Sequence, residues 1–140
     1  MKRIKGYVRY MDDFILIHED KEHLKHCLVE ITRMLNELGL ELNEKKTGIQ
    51  PVKHGIHFLG FSFRLTETGK VIQTLLHKKV SKERRKLRKI ADMVNKGQMT
   101  REHADECYQA WKAHVSKGNC RSLLVKMDSF YFNLYAGQEV

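Results

Sequence analysis

Long apolar runs are missing from this chain of 140 residues. No segment approaches the ~18–20 consecutive apolar residues of a membrane span. The opening MKRIKGYVRY lacks the apolar stretch of a secretory leader. Cysteine is scarce and odd in number. Cys27, Cys107 and Cys120 stand too far apart for a CxxC pair, which argues against a disulfide framework or a zinc finger and suits a reducing cytoplasm. Acid is also in short supply: 17 Asp and Glu face 26 Lys and Arg, leaving a net charge of +9 and a pI near 9.5. An excess of that size points to a polyanionic partner or to a generally basic protein, and the position of the charge decides between them. Internal repeats and low-complexity stretches are absent too. What remains is a globular composition, 41% hydrophobic with a mean hydropathy of −0.52, enough for one domain or two small subdomains sharing a core.

The first half reads as α+β. Residues 4–17 are β-branched and aromatic on both sides of Asp12-Asp13, the pattern of two strands and a tight turn. Asp20 is positioned as an N-cap, and Leu24, Leu28, Ile31, Leu35 and Leu38 recur at spacings of four and three on one helical face. Gly39 suits a left-handed C-cap. Leu40 and Leu42 alternate with polar neighbours as a short strand would. Pro51 interrupts the following segment, His54-Gly55 reads as a turn, Ile56–Leu65 as a strand and Thr66–Lys70 as a further turn. After residue 76 the pattern becomes helical, over roughly 79–96, 101–117 and 120–135. Ala104, Cys107, Tyr108, Trp111 and Val115 form one apolar stripe, and Leu123, Leu124, Met127, Phe130, Tyr131 and Leu134 another. Short connections between the three imply an antiparallel three-helix bundle with those stripes as its core.

Charge separates the halves. Between residues 78 and 96 lie nine basic residues (Lys78, Lys79, Lys82, Arg84, Arg85, Lys86, Arg88, Lys89, Lys96) and two acidic ones (Glu83, Asp92), so this window holds seven of the nine net charges. A solvated helix face is one reading. Mixed-sign charge would solubilise a helix without such self-repulsion, however, and an unmixed basic face fits a phosphate backbone.

Tyr10-Met11-Asp12-Asp13 is the tetrad that bears on chemistry. In a straight strand adjacent side chains point to opposite faces; at a hairpin tip the twist breaks that alternation and lets two carboxylates lean the same way. A two-residue turn prefers Asn or Gly, and Met-Asp departs from that preference, as strained functional turns do. An ordinary solvated Asp turn remains the alternative. Adjacent carboxylates suit hard divalent cations such as Mg²⁺, two of which ~3.5–4 Å apart can support phosphoryl transfer. Acid–base pairs of the glycosidase kind stand ~5–9.5 Å apart and are rarely neighbours.

These residues also carry a resemblance. Tyr7–Ile17 (YVRYMDDFILI) resembles the Y-x-D-D hairpin of reverse transcriptases, especially the prokaryotic R-Y-x-D-D-F form. Leu38–Thr47 (LGLELNEKKT) resembles that family's L-G-L-x-L-N-x-x-K-T motif, and Phe58–Phe61 (FLGF) its primer-grip hairpin, in family order and at family-like spacing. Trp111–Asn119 (WKAHVSKGN) is similar to the thumb of relatives in group II introns, retrons and diversity-generating retroelements. The resemblance implies a partial palm over residues 1–76 and a helical thumb over 77–140. Asp12 and Asp13 would be Mg²⁺ ligands (Mn²⁺ serving as well), and Tyr10 and Met11 would lie beneath the primer terminus and incoming nucleotide. Lys46, or its neighbour Lys45, would stand near the triphosphate, and Phe58, Leu59 and Gly60 would hold the primer. Lys78, Lys79, Lys82, Arg84, Arg85, Lys86, Arg88 and Lys89 would track the nucleic acid. The implied partners are an RNA template, a DNA primer and deoxynucleoside triphosphates.

The family also needs a third carboxylate and fingers from sequence ahead of this hairpin, for which residues 1–6 leave no room. The expectation is therefore a C-terminal palm-and-thumb portion that is inactive alone, with exposed strand edges that invite pairing with a second copy. The rival is a non-catalytic nucleic-acid-binding module in which Asp12-Asp13 is a vestige. A structural metal site at His23, His26 and Cys27 is a weaker third reading, since Cys27 adjoins the Leu24–Leu28 stripe and no fourth ligand suggests itself.

Overall fold

The computed structural model describes residues 3–136 and is mixed α and β, as the sequence pattern implies. It divides into two compact units, Met1–Pro51 and Val52–Val140. This division falls earlier than the change from strand to helix near residue 76: three strands go with the helices, not with the first hairpin.

In the first unit, β1 (Gly6–Tyr10) pairs antiparallel with β2 (Asp13–Ile17), Tyr10 opposite Asp13, so only Met11 and Asp12 turn the chain. Helix α1 spans Lys21–Glu37. The Asp20 carboxylate accepts from the amides of Glu22 and His23, satisfying two of the donors that a helix start leaves free. The helix closes at Gly39 (φ +71°), where Gly39 N–H donates to Asn36 and Leu40 N–H to Leu35, the paired bonds of a Schellman cap.

One expectation fails here. Residues 40–42 form no strand. Asn43 instead builds a turn, its side chain accepting from Lys45 N–H and its carbonyl from Lys46 and Thr47. A strand needs a neighbouring ladder, and alternation of Leu40 and Leu42 cannot supply one. The α1 stripe lies on one face as its spacing implies but is not buried: Leu24, Leu28, Ile31 and Leu35 are half-buried and Leu38 is exposed. The periodicity is real, but two short strands present too little apolar surface to bury a five-turn helix.

The second unit begins with a 3₁₀ turn at Val52–His54, followed by β3 (Ile56–Phe58), β4 (Phe61–Leu65) and β5 (Val71–Leu75) in an antiparallel sheet of that order. Ile56–Leu65 is thus not the continuous strand its propensity suggests but a hairpin, as the resemblance at Phe58–Phe61 implies. Leu59 (φ +52°) and Gly60 (φ +87°) reverse it with both central residues left-handed, the backbone of a type I′ turn. Three helices follow: α2 (His77–Asn95), α3 (Arg101–Val115), capped by the Thr100 hydroxyl, and α4 (Arg121–Asn133). Val80, Leu87, Ala91, Tyr108, Met127, Tyr131 and Tyr135 make one buried cluster, with Leu75 of β5 and Trp111 packed against it.

Two reciprocal polar clasps tie α3 to α4. Tyr108 donates to Asp128 at 2.7 Å and Tyr131 to Asp105 at 2.6 Å, while the two rings stack 4.2 Å apart. Burial acts to raise both carboxyl pKa values, but the bonds from tyrosine and from Lys112 (on Asp128) or Arg101 (on Asp105) outweigh it and hold each below its ordinary value. A carboxylate depressed on folding contributes stability that is present above its unfolded pKa of ~3.9 and is lost as pH falls through the lower folded value. The urea midpoint is therefore expected to fall more steeply from pH 5 to pH 3 in the parent than in a Tyr108→Phe/Tyr131→Phe variant. Parallel curves would show that the clasps carry no such linkage.

Candidate nucleic-acid and metal site

Three groups of side chains bear on function. The first is the β1–β2 tip. Met11 has φ +53°, whereas Asp12 does not enter the left-handed region, which matches the type II′ pattern in which glycine is preferred at the first central position. A methionine there costs roughly 1–2 kcal/mol. The Arg9 side chain offsets part of this by donating from Nε to the Met11 carbonyl at 2.8 Å. Sequence reasoning passed over Arg9, although it directly precedes the tetrad. Met11 is 74% exposed, and Tyr10, Asp12 and Asp13 are exposed with it. The two carboxylates sit at consecutive positions across the end of the turn, both exposed to solvent, and no ion pair to them occurs among the described residues.

Lys45 and Lys46 are both exposed in the Asn43 turn. Among the described residues no hydrogen bond or ion pair joins either lysine to Asp12 or Asp13. Nor do the described residues gather three His, Cys, Asp or Glu side chains around a common metal position. His23 instead meets His18 edge-on at 4.7 Å and Cys27 at 3.8 Å.

The second group is the β3–β4 tip. Phe58 and Phe61 close the hairpin as a pair, Leu59 stands 50% exposed at its end, and Gly60 lies beneath the Lys79 side chain. A methyl at Gly60 would come within 3.3 Å of Lys79 Cε, and the left-handed backbone there strains a β-carbon in any case. The Gly60 carbonyl accepts from Leu76 N–H at 3.1 Å, holding the tip against the start of α2.

The third group is α2. Val80, Glu83, Leu87, Ile90 and Ala91 face the core. Lys78, Lys82, Arg85 and Lys89, spaced four, three and four, form an exposed stripe on the opposite side about 16 Å long, flanked by exposed Lys79 and Lys86. Arg84 and Arg88 are committed differently, both lying over the Phe130 ring at 5.5 and 5.2 Å. Burial raises the Glu83 carboxyl pKa against the opposing pull of Lys86, 3.8 Å away, and Glu83 is buried on the core side of the helix, away from the stripe. The helix also starts with His77, Lys78 and Lys79, no acid in its first turn and no side-chain cap. Cations at the positive end of a helix are a local conflict of ~0.3–1 kcal/mol each. An anion laid along the stripe removes that conflict.

Residues 2–63 match the family model of reverse transcriptase (RNA-dependent DNA polymerase). That stretch is similar to part of a reverse transcriptase domain. The match holds the first tip, α1, the Asn43 turn and the second tip, and it ends within β4, ahead of the helices. The chain is also similar to Protein P of duck hepatitis B virus from the brown Shanghai duck isolate S5, the white Shanghai duck isolate S31 and the China strain. Each is 42% identical over 52 residues, which span 37% of this chain and 6% of the relative.

Proposed function

We propose that the chain is the portion of an RNA-directed DNA polymerase that holds two of its metal-binding carboxylates, its primer grip and its thumb. The observation that carries this reading is the tetrad itself. Inside a stretch matched to the family, Asp12 and Asp13 stand exposed at a turn whose first residue is held left-handed. Two adjacent hard oxygen donors suit Mg²⁺ or Mn²⁺, which takes one or two carboxylates and completes its shell with water and phosphate. Bound there, the ion would supply charge stabilisation to the reacting phosphate.

The remaining roles belong to the same proposal. Tyr10 and Met11 support the primer terminus and incoming nucleotide, Lys46 or Lys45 faces the triphosphate, and Phe58, Leu59 and Gly60 grip the primer. The α2 stripe tracks the template–primer. Palm character extends through residue 76 and thumb character follows, in a retroelement enzyme of prokaryotic type. With only two carboxylates at the hairpin and no third ligand among the described residues, the 140-residue polypeptide is inactive when assayed alone.

Purified protein supplied with Mg²⁺, RNA template and DNA primer should extend the primer no more than an Asp12→Asn control. Clear extension above that control would overturn the inactivity. An NMR titration with Mg²⁺ separates the catalytic reading from a binding module with vestigial acids. Shifts confined to Asp12 and Asp13, absent from the Asp12→Asn protein, support the first. Silence at both residues up to tens of millimolar metal supports the second, which draws on the finding that the core and the basic helix share one unit.

A further inference from the structure

The corner between α3 and α4 does more than join two helices. Asn119 N–H donates to the Gln73 carbonyl at 2.7 Å, and Gln73 N–H donates to Asn119 Oδ1 at 3.0 Å. Gln73 is the central residue of β5, the last strand of its sheet, and both its backbone groups point away from β4 toward this corner. The corner thus serves β5 as one more rung of ladder, with an asparagine side chain standing in for a carbonyl. Gly118 makes the approach feasible: a methyl there would stand 3.0 Å from the Gln73 carbonyl oxygen and 3.3 Å from the Phe61 ring. The His114 ring covers the same phenylalanine at 5.3 Å. Phe61 is buried and is the first residue of β4 beyond the Leu59–Gly60 tip.

We infer that Asn119 is a positioning residue for nucleic-acid binding. Its two-bond staple, seated through Gly118, fixes the sheet that carries the Leu59–Gly60 tip to the helices that carry the Lys78–Lys89 stripe, so that both grip one duplex as a rigid two-point surface. The inference rests on the proposed nucleic-acid function. Its physical content is effective concentration. Two weak contact areas held at a fixed separation bind jointly, and the gain shrinks when one of them swings. The Gly60–Leu76 bond and the Lys79 stem hold the tip at its near end, and Leu75 and Phe61 pack against the helices. The Gln73–Asn119 pair holds the far strand.

The test uses the full chain and a short RNA–DNA duplex with a recessed primer end, with affinity measured below the melting transition of every variant. Asn119→Ala is expected to bind about tenfold more weakly. Asn119→Asp keeps an acceptor for Gln73 N–H and is expected to stay within about twofold of the parent. A residue that merely stabilises the fold would lower the melting temperature and leave affinity among folded molecules unchanged.

Should Asn119→Ala fail to fold, Gln73→Pro removes the donor of the same staple from an edge strand and is expected to show the same loss. In the parent, the amides of Gln73 and Asn119 should exchange as slowly as the β4–β5 ladder; exchange at loop rates would overturn the inference. So would parent-like affinity of Asn119→Ala, or of Gln73→Pro, while a Lys82→Gln/Arg85→Gln variant binds weakly. If the Lys82→Gln/Arg85→Gln variant also binds like the parent, the nucleic-acid reading itself has failed, and the inference falls with it.

Discussion

Replacing Lys78, Lys82, Arg85 and Lys89 together with glutamine will weaken binding to an RNA–DNA duplex about a thousandfold near 0.1 M salt. Each lysine or arginine seated on a phosphate releases condensed counterions, so log K falls with log salt by about 0.9 per contact. Losing four contacts should flatten that slope by between about 3 and 4. The four side chains stand on the face of α2 opposite Leu87, so the substitutions leave the core untouched and glutamine preserves helix propensity. Lys96 is the control. It lies in the same basic window but is paired with Asp92 at 2.8 Å, and Lys96→Gln should leave both affinity and slope nearly unchanged. Salt titrations of the three proteins decide the matter. A fourfold variant with the parent's slope would show that the stripe is solvated surface and nothing more.

Leu87→Ala will destabilise the second unit by about 3–5 kcal/mol. Leu87 is 0% exposed and belongs to the cluster shared by α2, α3 and α4, where the rigid rings of Tyr108 and Tyr131 resist collapse into the space left behind. A unit of this size loses about 4–8 °C of melting temperature per kcal/mol, so a fall of tens of degrees is expected. Val29→Ala, on the 63% exposed face of α1, should change stability by less than about 0.5 kcal/mol. Calorimetry on both variants checks the contrast. Equal losses would mean that the three-helix cluster is not where the stability resides.

Much of this architecture was legible in the residues. Asp20, Gly39 and Thr100 each mark a helix end by side-chain or backbone chemistry that acts within a few residues, and each end lies where those residues put it. The tyrosine and leucine stripes of the last two helices are core because their period matches the helix and three such helices suffice to bury them. The tetrad was legible as a turn because Met-Asp interrupts two strongly β-forming runs.

Other features were not local, and the sequence misled or said nothing. Leu40 and Leu42 alternate correctly yet make no strand, because pairing requires a partner that alternation does not specify. Ile56–Leu65 reads by propensity as one strand, and its reversal at Leu59 runs against that residue's own backbone preference, so within the sequence only the resemblance of Phe58–Phe61 to a hairpin placed a turn there. The eight basic residues of α2 look equivalent in one dimension. Phe130, more than forty residues away, draws Arg84 and Arg88 aside and leaves six others on the open face.

By itself the sequence determined the class of fold, the helix ends, the concentration of positive charge in one helix and the presence of paired acids at a turn. Caps, periodicity and net charge are properties of neighbouring residues and need no distant partner. Tertiary structure alone decided which stripe became a core, which cations stayed free, and that Asn119 would complete the edge of a strand 46 residues away. Burial and hydrogen bonding across such separations depend on how the chain returns on itself, which no local pattern encodes.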